Sequence, residues 1–323
     1  MSRFLWPTSN RSVFDHQTPL EHFLTSPLKF LVRHVYALIL LLRGPSYHPP
    51  RDNSRLRVVC ISDTHCETLQ SVPPGDILIH SGDLTNAGNT YELQAHIDWL
   101  KTLPHTQKLV ICGNHDSYFD PRSRSPEDNG KTLDWGNIHY LQHNSITLTF
   151  PSHNNRTFNI YGAPQIPLCG GSSFAFQYRR YEDAWTDTIP PDTDILITHA
   201  PPRFHLDLPV SLGCKFLLSE VWKVQPILHV FGHVHAAYGR ENAFWDDFQW
   251  QYENVCSAPH GGLRELFSPT QWFGLARVIY YGIGGILWNR VWRGDSHGSV
   301  FINASNAYRS SGKVGNKPQV IDI

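Results

Sequence analysis

The sequence is short of the features that mark several large classes of protein. Its six cysteines include no Cys-x-x-Cys pair, and Cys60 and Cys112 lie inside apolar runs, where a thiol behaves as a small hydrophobe. A disulfide framework is therefore not expected. That points to a reducing, intracellular and cytoplasmic setting and makes the sequons at Asn10, Asn155 and Asn303 accidental. An excess of one charge is lacking too: 27 Lys and Arg against 28 Asp and Glu leave a formal net charge of -1. With no global field to attract polyanions, specific nucleic-acid binding is not expected. No apolar run reaches the roughly 18–20 residues that a membrane span needs.

Two stretches come near that length. Residues 28–44 are apolar except for Lys29, Arg33, His34 and Arg43, and they start behind a polar leader too long for a good signal peptide. Residues 272–293 are apolar from Val278 to Trp288 and flanked by Trp and Arg, a pattern found in interfacial anchors. For both, packing on the protein's own body competes with peripheral membrane contact, and for 28–44 a true span is the third alternative. In the second, Gly274, Gly282, Gly284 and Gly285 weaken any helix by up to ~1 kcal/mol each, so a hydrophobic loop or hairpin competes with a helix.

What is present is a repeated unit, an apolar run of strand type that ends in Asp, Asn or His. Asp63-Thr64-His65 follows Arg57–Ile61, Gly82-Asp83 follows Ile77–Ile79, and Gly113-Asn114-His115-Asp116 follows Leu109–Ile111. His199 follows Ile195–Ile197, and Gly232-His233-Val234-His235 follows Leu228–Phe231. Ligands at the carboxyl ends of strands in an α/β sheet are where binding sites form. Two carboxylates, one amide and four imidazoles suit a pair of first-row divalent cations, and the lack of Cys among them argues against a closed structural zinc site. His229, on an apolar run, reads as a satisfied core histidine.

Around these units, residues 1–54 read as an N-terminal extension with a hydrophobic segment, 55–305 as the main domain, 246–297 as a hydrophobic insertion and 306–323 as a C-terminal tail. Thr90–Leu103 and Cys214–Val224 have helical spacing, with Asn89 or Thr90 as cap of the first. Ile138–Leu141, Ser145–Phe150 and Thr157–Tyr161 alternate as strands, and Val300–Asn303 resumes one.

The ordered series D-x-H, G-D, G-N-H-D, H, G-H-x-H resembles the calcineurin-like metallophosphoesterase superfamily over roughly residues 55–240 plus a closing strand near 299–305. The local sequences Cys60–His65, Gly162-Ala163-Pro164, Thr198–Pro202, Leu228–Gly232 and Ile302–Ser305 are similar to the branch of brain metallophosphoesterase-domain phosphodiesterases. The resemblance implies a layered α/β/β/α sandwich with a dinuclear metal site at the strand carboxyl ends. It implies two divalent transition metal ions (Mn, Fe, Ni or Zn), one held by Asp63, His65 and His235, the other by Asn114, His199 and His233, with Asp83 bridging. It implies hydrolysis of phosphodiesters, cyclic nucleotides among them, by attack of a metal-bridging hydroxide. His115 would then protonate the leaving group, and Asp116 would orient a ligand or His115, the alternative for Asp116 being a loop carboxylate that caps backbone N–H groups. Formal charge agrees, since two dications, two aspartates and one hydroxide leave a single positive charge for a monoanionic diester. Arg203 is a substrate candidate, with Arg179, Arg180, His205 and Tyr178 behind it. A phosphomonoesterase or protein phosphatase is the in-class alternative, disfavoured because no D-R-G follows Gly82-Asp83. A membrane-associated scaffold of low activity is the other.

Overall fold

In a computed structural model, the structure describes residues 14–323 apart from 16, 53, 260, 295 and 312. Two helices open it, the short α1 (Pro19–Thr25) and the longer α2 (Pro27–Arg43). The first half of the main body alternates β1 (Arg57–Ile61), β2 (Ile77–Ser81), α3 (Thr90–Thr102), β3 (Gln107–Ile111) and β4 (Ile138–Tyr140). Then come β5 (Asn144–Phe150), β6 (Arg156–Ala163), the two-residue β7 (Ile166–Pro167) and β8 (Gln177–Tyr178), β9 (Ile195–Thr198), α4 (Lys215–Val224) and β10 (Leu228–Phe231). The chain continues through β11 (Gly239–Phe244), α5 (Asp247–Ser257), α6 (Pro269–Ile286), β12 (Gly298–Asn303) and β13 (Gln319–Asp322).

These strands build two stacked mixed sheets, β13-β1-β2-β3-β4 and β11-β12-β10-β9-β6-β5. Strands β1 to β4 run parallel, as do β6, β9, β10 and β12, and the antiparallel strands β13, β5 and β11 form edges. Parallel strands buried on both faces read as largely apolar runs, which is what β1, β2, β3, β9 and β10 show in their interiors apart from His80, Lys108 and His229. Their inner faces meet in one core in which Val58, Ile79 and Ile111 oppose Ile160, Ile197 and Val230. On the outer face of the first sheet α3 lays down Leu93, Ile97 and Leu100. Asn89 caps α3 by accepting from the Glu92 amide at 2.9 Å. On the outer face of the second sheet α4 lays down Leu217 and Val221. The architecture is the expected α/β/β/α sandwich.

The two apolar stretches form a helical cap beside it. α2, α5 and α6 share a core of Val32, Tyr36, Ile39, Phe248, Tyr252 and Val278, with the Tyr36 and Tyr252 rings stacked at 3.7 Å. α6 is a helix despite its glycines. A Cβ on Gly282 would lie 2.5 Å from Ile39 Cδ1 and 3.1 Å from Phe248, so the missing side chain is what lets α6 approach α2 and α5. Close packing there outweighs poor propensity. Glu265, in the six-residue turn Gly262–Phe267, accepts from Ser26 Oγ at 2.7 Å and from the Leu28 amide at 3.3 Å, locking the start of α2. Among the described residues no helix is long and apolar enough to cross a membrane. Residues 306–323 are more than a tail, because β13 closes the edge of the first sheet against β1. So short a strand is specified by its partner some 260 positions earlier, not by its own pattern.

Candidate metal centre

All five motif segments leave parallel strands at their carboxyl ends, so the sandwich delivers their side chains to one rim. Glycine makes the approach possible. Gly82 has φ +105°, and a Cβ there would lie 2.5 Å from His199 Nδ1; one on Gly232 would lie 2.1 Å from Asp63 Oδ2. Asp63, His65, Asp83 and His233 all hold positive φ (52°, 47°, 53° and 65°), a conformation costly for side-chain-bearing residues and concentrated at functional sites.

Two groups of donors result. One ligand atom from each of Asp63, His65, Asp83 and His235 lies within 4.8 Å of the others, and so do those of Asp83, His199 and His233, with Asp83 common to both. His199 Nε2 stands 3.4 Å from Asp83 Oδ2 and 3.1 Å from Asn114 Oδ1. His235 Nε2 stands 3.2 Å from Asp63 Oδ1 and 3.4 Å from His65 Nε2. The opposite nitrogens face backbone carbonyls: His65 Nδ1 on Thr85 O at 3.2 Å, His199 Nδ1 on Ser81 O at 2.9 Å and His235 Nδ1 on Arg309 O at 3.1 Å. Donation to those carbonyls places a proton on Nδ1 and aims Nε2 at the carboxylates; a bound cation would take the place of the second proton that otherwise bridges His199 Nε2 to Asp83 and His235 Nε2 to Asp63. The donors therefore fit a pair of divalent cations. The electrostatics point the same way. Burial alone would raise Asp83, but the charge and hydrogen bond of His199 hold it well below the usual carboxylate range. His199 is pushed up to about 9, with burial opposing and Asp83 prevailing. The pocket is built to hold positive charge.

The supporting residues fall into place around this cluster. His115 lies at the pocket wall with Nδ1 on Asn86 O at 2.9 Å, so Nε2 is the nitrogen left to the cavity. Asp116 is fully buried and accepts from the amides of Leu84, Thr85 and Gly113 and from Thr85 Oγ1, at 3.2, 3.0, 2.8 and 2.7 Å. It ties the loop after β2 to the loop after β3, and its carboxylate makes no contact with the His115 ring among these bonds. His229 is a core histidine on Thr198 Oγ1 at 2.8 Å, and burial lowers it to about 3. Arg203 does not line the metal pocket but an adjoining cleft, together with Arg180. His205 is not a substrate contact: it is buried between Glu241 and Glu253 at 2.6 and 3.0 Å. Tyr178 accepts from Trp185 Nε1 at 2.9 Å, and Arg179 faces Glu182 on the surface.

Sequence reasoning missed several neighbours. His80 and His96 both contact Thr64 Oγ1 at 2.9 Å and brace the Asp63 turn from behind. An imidazole inside the buried run of β2 was the available signal. Phe14, Cys169, Phe174 and Arg309 complete the lining of a pocket of about 240 Å³, and no pattern in the sequence marks them.

A family model described as calcineurin-like phosphoesterase matches residues 56–237. The chain belongs to that family. Its relatives include UPF0046 protein K07C11.7 of Caenorhabditis elegans, 38% identical over 210 residues that cover 61% of this chain and 69% of that protein. Metallophosphoesterase domain-containing protein 1 of Homo sapiens is 38% identical over 208 residues, covering 59% of this chain and 64% of that one. A protein of Emericella nidulans named probable rhamnogalacturonate lyase C is 36% identical over 288 residues; the match takes in 88% of this chain but only 26% of that protein's length. Since this third alignment covers far more of the chain than the family model does, it includes residues of the flanking segments. As a calcineurin-like phosphoesterase, the chain carries its donors on the loops after β1, β2, β3, β9 and β10, with Asp83 central to them.

Proposed function

We propose that this chain is a metal-dependent phosphodiesterase, with cyclic nucleotides within its range. The observation that carries the reading is the pair of donor groups sharing Asp83. Asp63, His65 and His235 would hold one divalent transition metal, Asn114, His199 and His233 the other, and Asp83 both. Metals so held polarise phosphoryl oxygens and lower the pKa of water to about 7. The chain's own residues supply the rest. His115, oriented by the Asn86 carbonyl, presents Nε2 as the proton donor to the departing oxygen. Asp116 holds the two loops that carry Asp83 and Asn114 in register. Phe174 packs at 4.7 Å from the His115 ring and Phe14 at 5.6 Å from the His233 ring, giving the pocket aromatic walls suited to a planar base. The test compares bis(p-nitrophenyl) phosphate, p-nitrophenyl phosphate and 3′,5′-cyclic AMP with Mn²⁺-reconstituted protein and its Asp83→Asn variant. Diester turnover lost in the variant supports the reading. A preference for the monoester would replace it with a phosphatase, and no turnover with two metals bound would leave the scaffold.

We further propose that the helical cap rests on an anionic lipid surface. Leu20, Leu41, Phe267, Phe273, Tyr280 and Trp292 are 60–86% exposed on its helices and turns. Arg264, Arg277, Arg290 and Arg293 stand exposed among them, and the only carboxylate of 262–294, Glu265, is buried under α2. Cations and Trp around an apolar face match the anionic headgroup region. Co-sedimentation with phosphatidylserine vesicles but not phosphatidylcholine vesicles, weakened by Phe267→Ser with Trp292→Ser, is the expected result; equal recovery of wild type and variant would overturn it.

A further inference from the structure

The metal pocket does not end at Phe14 and Cys169. The same two residues line a second cleft of about 690 Å³, whose other walls include Arg180, Arg203 and Lys215 and no carboxylate. Among the described residues, none of these three cations lies within 4.0 Å of an acidic oxygen. Each is held by something else. Arg180 Nη1 donates to Leu212 O at 3.0 Å, the Arg203 guanidinium sits 4.9 Å over the Phe204 ring, and the Lys215 ammonium sits 4.5 Å over the Phe216 ring. On a convex surface three such charges would be solvated and of no consequence. Here they share a concave wall with Pro167, Leu168 and Val210, where low-dielectric surroundings focus their field on one small volume.

We propose that this cleft is an anion subsite of the phosphoesterase centre, and that the substrate is a small phosphodiester bearing a second phosphate on one arm. The inference rests on the diesterase reading above and adds the substrate class to it. With the scissile group at the metal cluster, the arm that passes Phe14 and Cys169 enters the cleft and brings its second phosphate to Arg180, Arg203 and Lys215. Arg supplies forked donors that match phosphate oxygens, and Lys a movable point charge. A chain of net charge -1, with three cations gathered in one cleft of about 690 Å³, offers no long track for an extended polyanion, so the partner is a small molecule.

Two chromogenic diesters differing in one group make the test: thymidine 5′-(p-nitrophenyl phosphate) with and without a 3′-phosphate, assayed on the metal-loaded full chain. The 3′-phosphate is expected to raise kcat/KM about tenfold or more, mainly through KM, and the gain should shrink as salt rises. In Arg180→Gln/Arg203→Gln/Lys215→Gln the ratio of the two kcat/KM values should fall to about one, and Arg180→Lys/Arg203→Lys should keep part of it, because the charge remains while the forked donors are lost. A ratio near one in the wild type, or a ratio that survives the triple Gln change, would overturn the proposal. Calorimetry with thymidine 3′,5′-bisphosphate against thymidine 5′-monophosphate separates the two readings. Tighter binding of the bisphosphate without diester turnover would keep the subsite and sink the diesterase. Diester turnover with equal binding of the two nucleotides would do the reverse.

Discussion

At the scale of single residues, the site depends on backbone carbonyls as much as on the donors themselves. Ser81, Thr85, Asn86 and Arg309 each hold the back nitrogen of one imidazole, which decides where the front nitrogen points. For His115 the consequence is measurable. Its replacement by Ala should lower kcat by about 10²–10⁴ for an alkyl leaving group, the range for a positioned general acid. The loss should be much smaller for p-nitrophenol, which departs without a proton. A leaving-group series measured on His115→Ala checks this, and an equal loss across the series would remove the acid role. Thr64 is a second case. It bridges His80 and His96 beside Asp63, with the His96 ring lowered to about 3 chiefly by burial. Thr64→Val keeps the shape and leaves both imidazoles without that partner, so it should cost about 1–3 kcal/mol in chemical denaturation.

Among the elements, α6 and the buried ion cluster beneath the cap make the sharpest statements. Gly282 and Gly284 differ only in what surrounds them. Space around a Cβ at 284 is open, whereas one at 282 meets Ile39 and Phe248. Gly284→Ala should therefore raise stability by up to about 1 kcal/mol through helix propensity, while Gly282→Leu should cost about 1–3 kcal/mol by overpacking. Thermal denaturation of the two variants distinguishes them. Below α2, His205 pairs with Glu241 on β11 and Glu253 on α5; Tyr36 contacts Glu241 at 3.5 Å and Trp222 donates to Glu253 at 2.8 Å. Burial opposes a charge on His205, but Glu241 and then Glu253 push it up to about 10. A value raised above the ordinary 6.5 means the folded chain holds the proton more tightly. Its stabilisation is therefore complete below pH 6.5 and is lost as pH rises toward 10. Denaturant midpoints should fall across that window in the wild type and fall less steeply in His205→Gln, with His199 still contributing, and the variant should also lose about 3–5 kcal/mol by leaving the buried Glu253 and the half-buried Glu241 without their cation.

For the molecule as a whole, metal loading should stabilise the sandwich, because the cluster joins loops from both sheets and a cation that binds only the folded state adds to its free energy. Chelation should lower the Tm, and Asp83→Asn should remove most of the difference between the metal-loaded and metal-free chain. The strands that deliver the donors were legible because a parallel strand buried on both faces must be an apolar run, and each run stops at the polar residue it carries. The helices α3 and α4 were legible for the same local reason, spacing and caps. The helical form of α6 was not, since it depends on Ile39 and Phe248 arriving from elsewhere to fill the space its glycines leave. Nor was the pairing of β13 with β1, or the placement of His205 in an ion cluster instead of a substrate pocket. By itself, then, the sequence determined which donor residues stand at the strand ends and which segments carry them, because strand periodicity and motif order are written within a few residues. The tertiary structure alone decided that Phe14, Cys169, Phe174 and Arg309 wall the pocket and that Arg203 stands in a second cleft beyond it. Those neighbours come together only when segments from opposite ends of the chain pack, and no local pattern encodes contacts of that range.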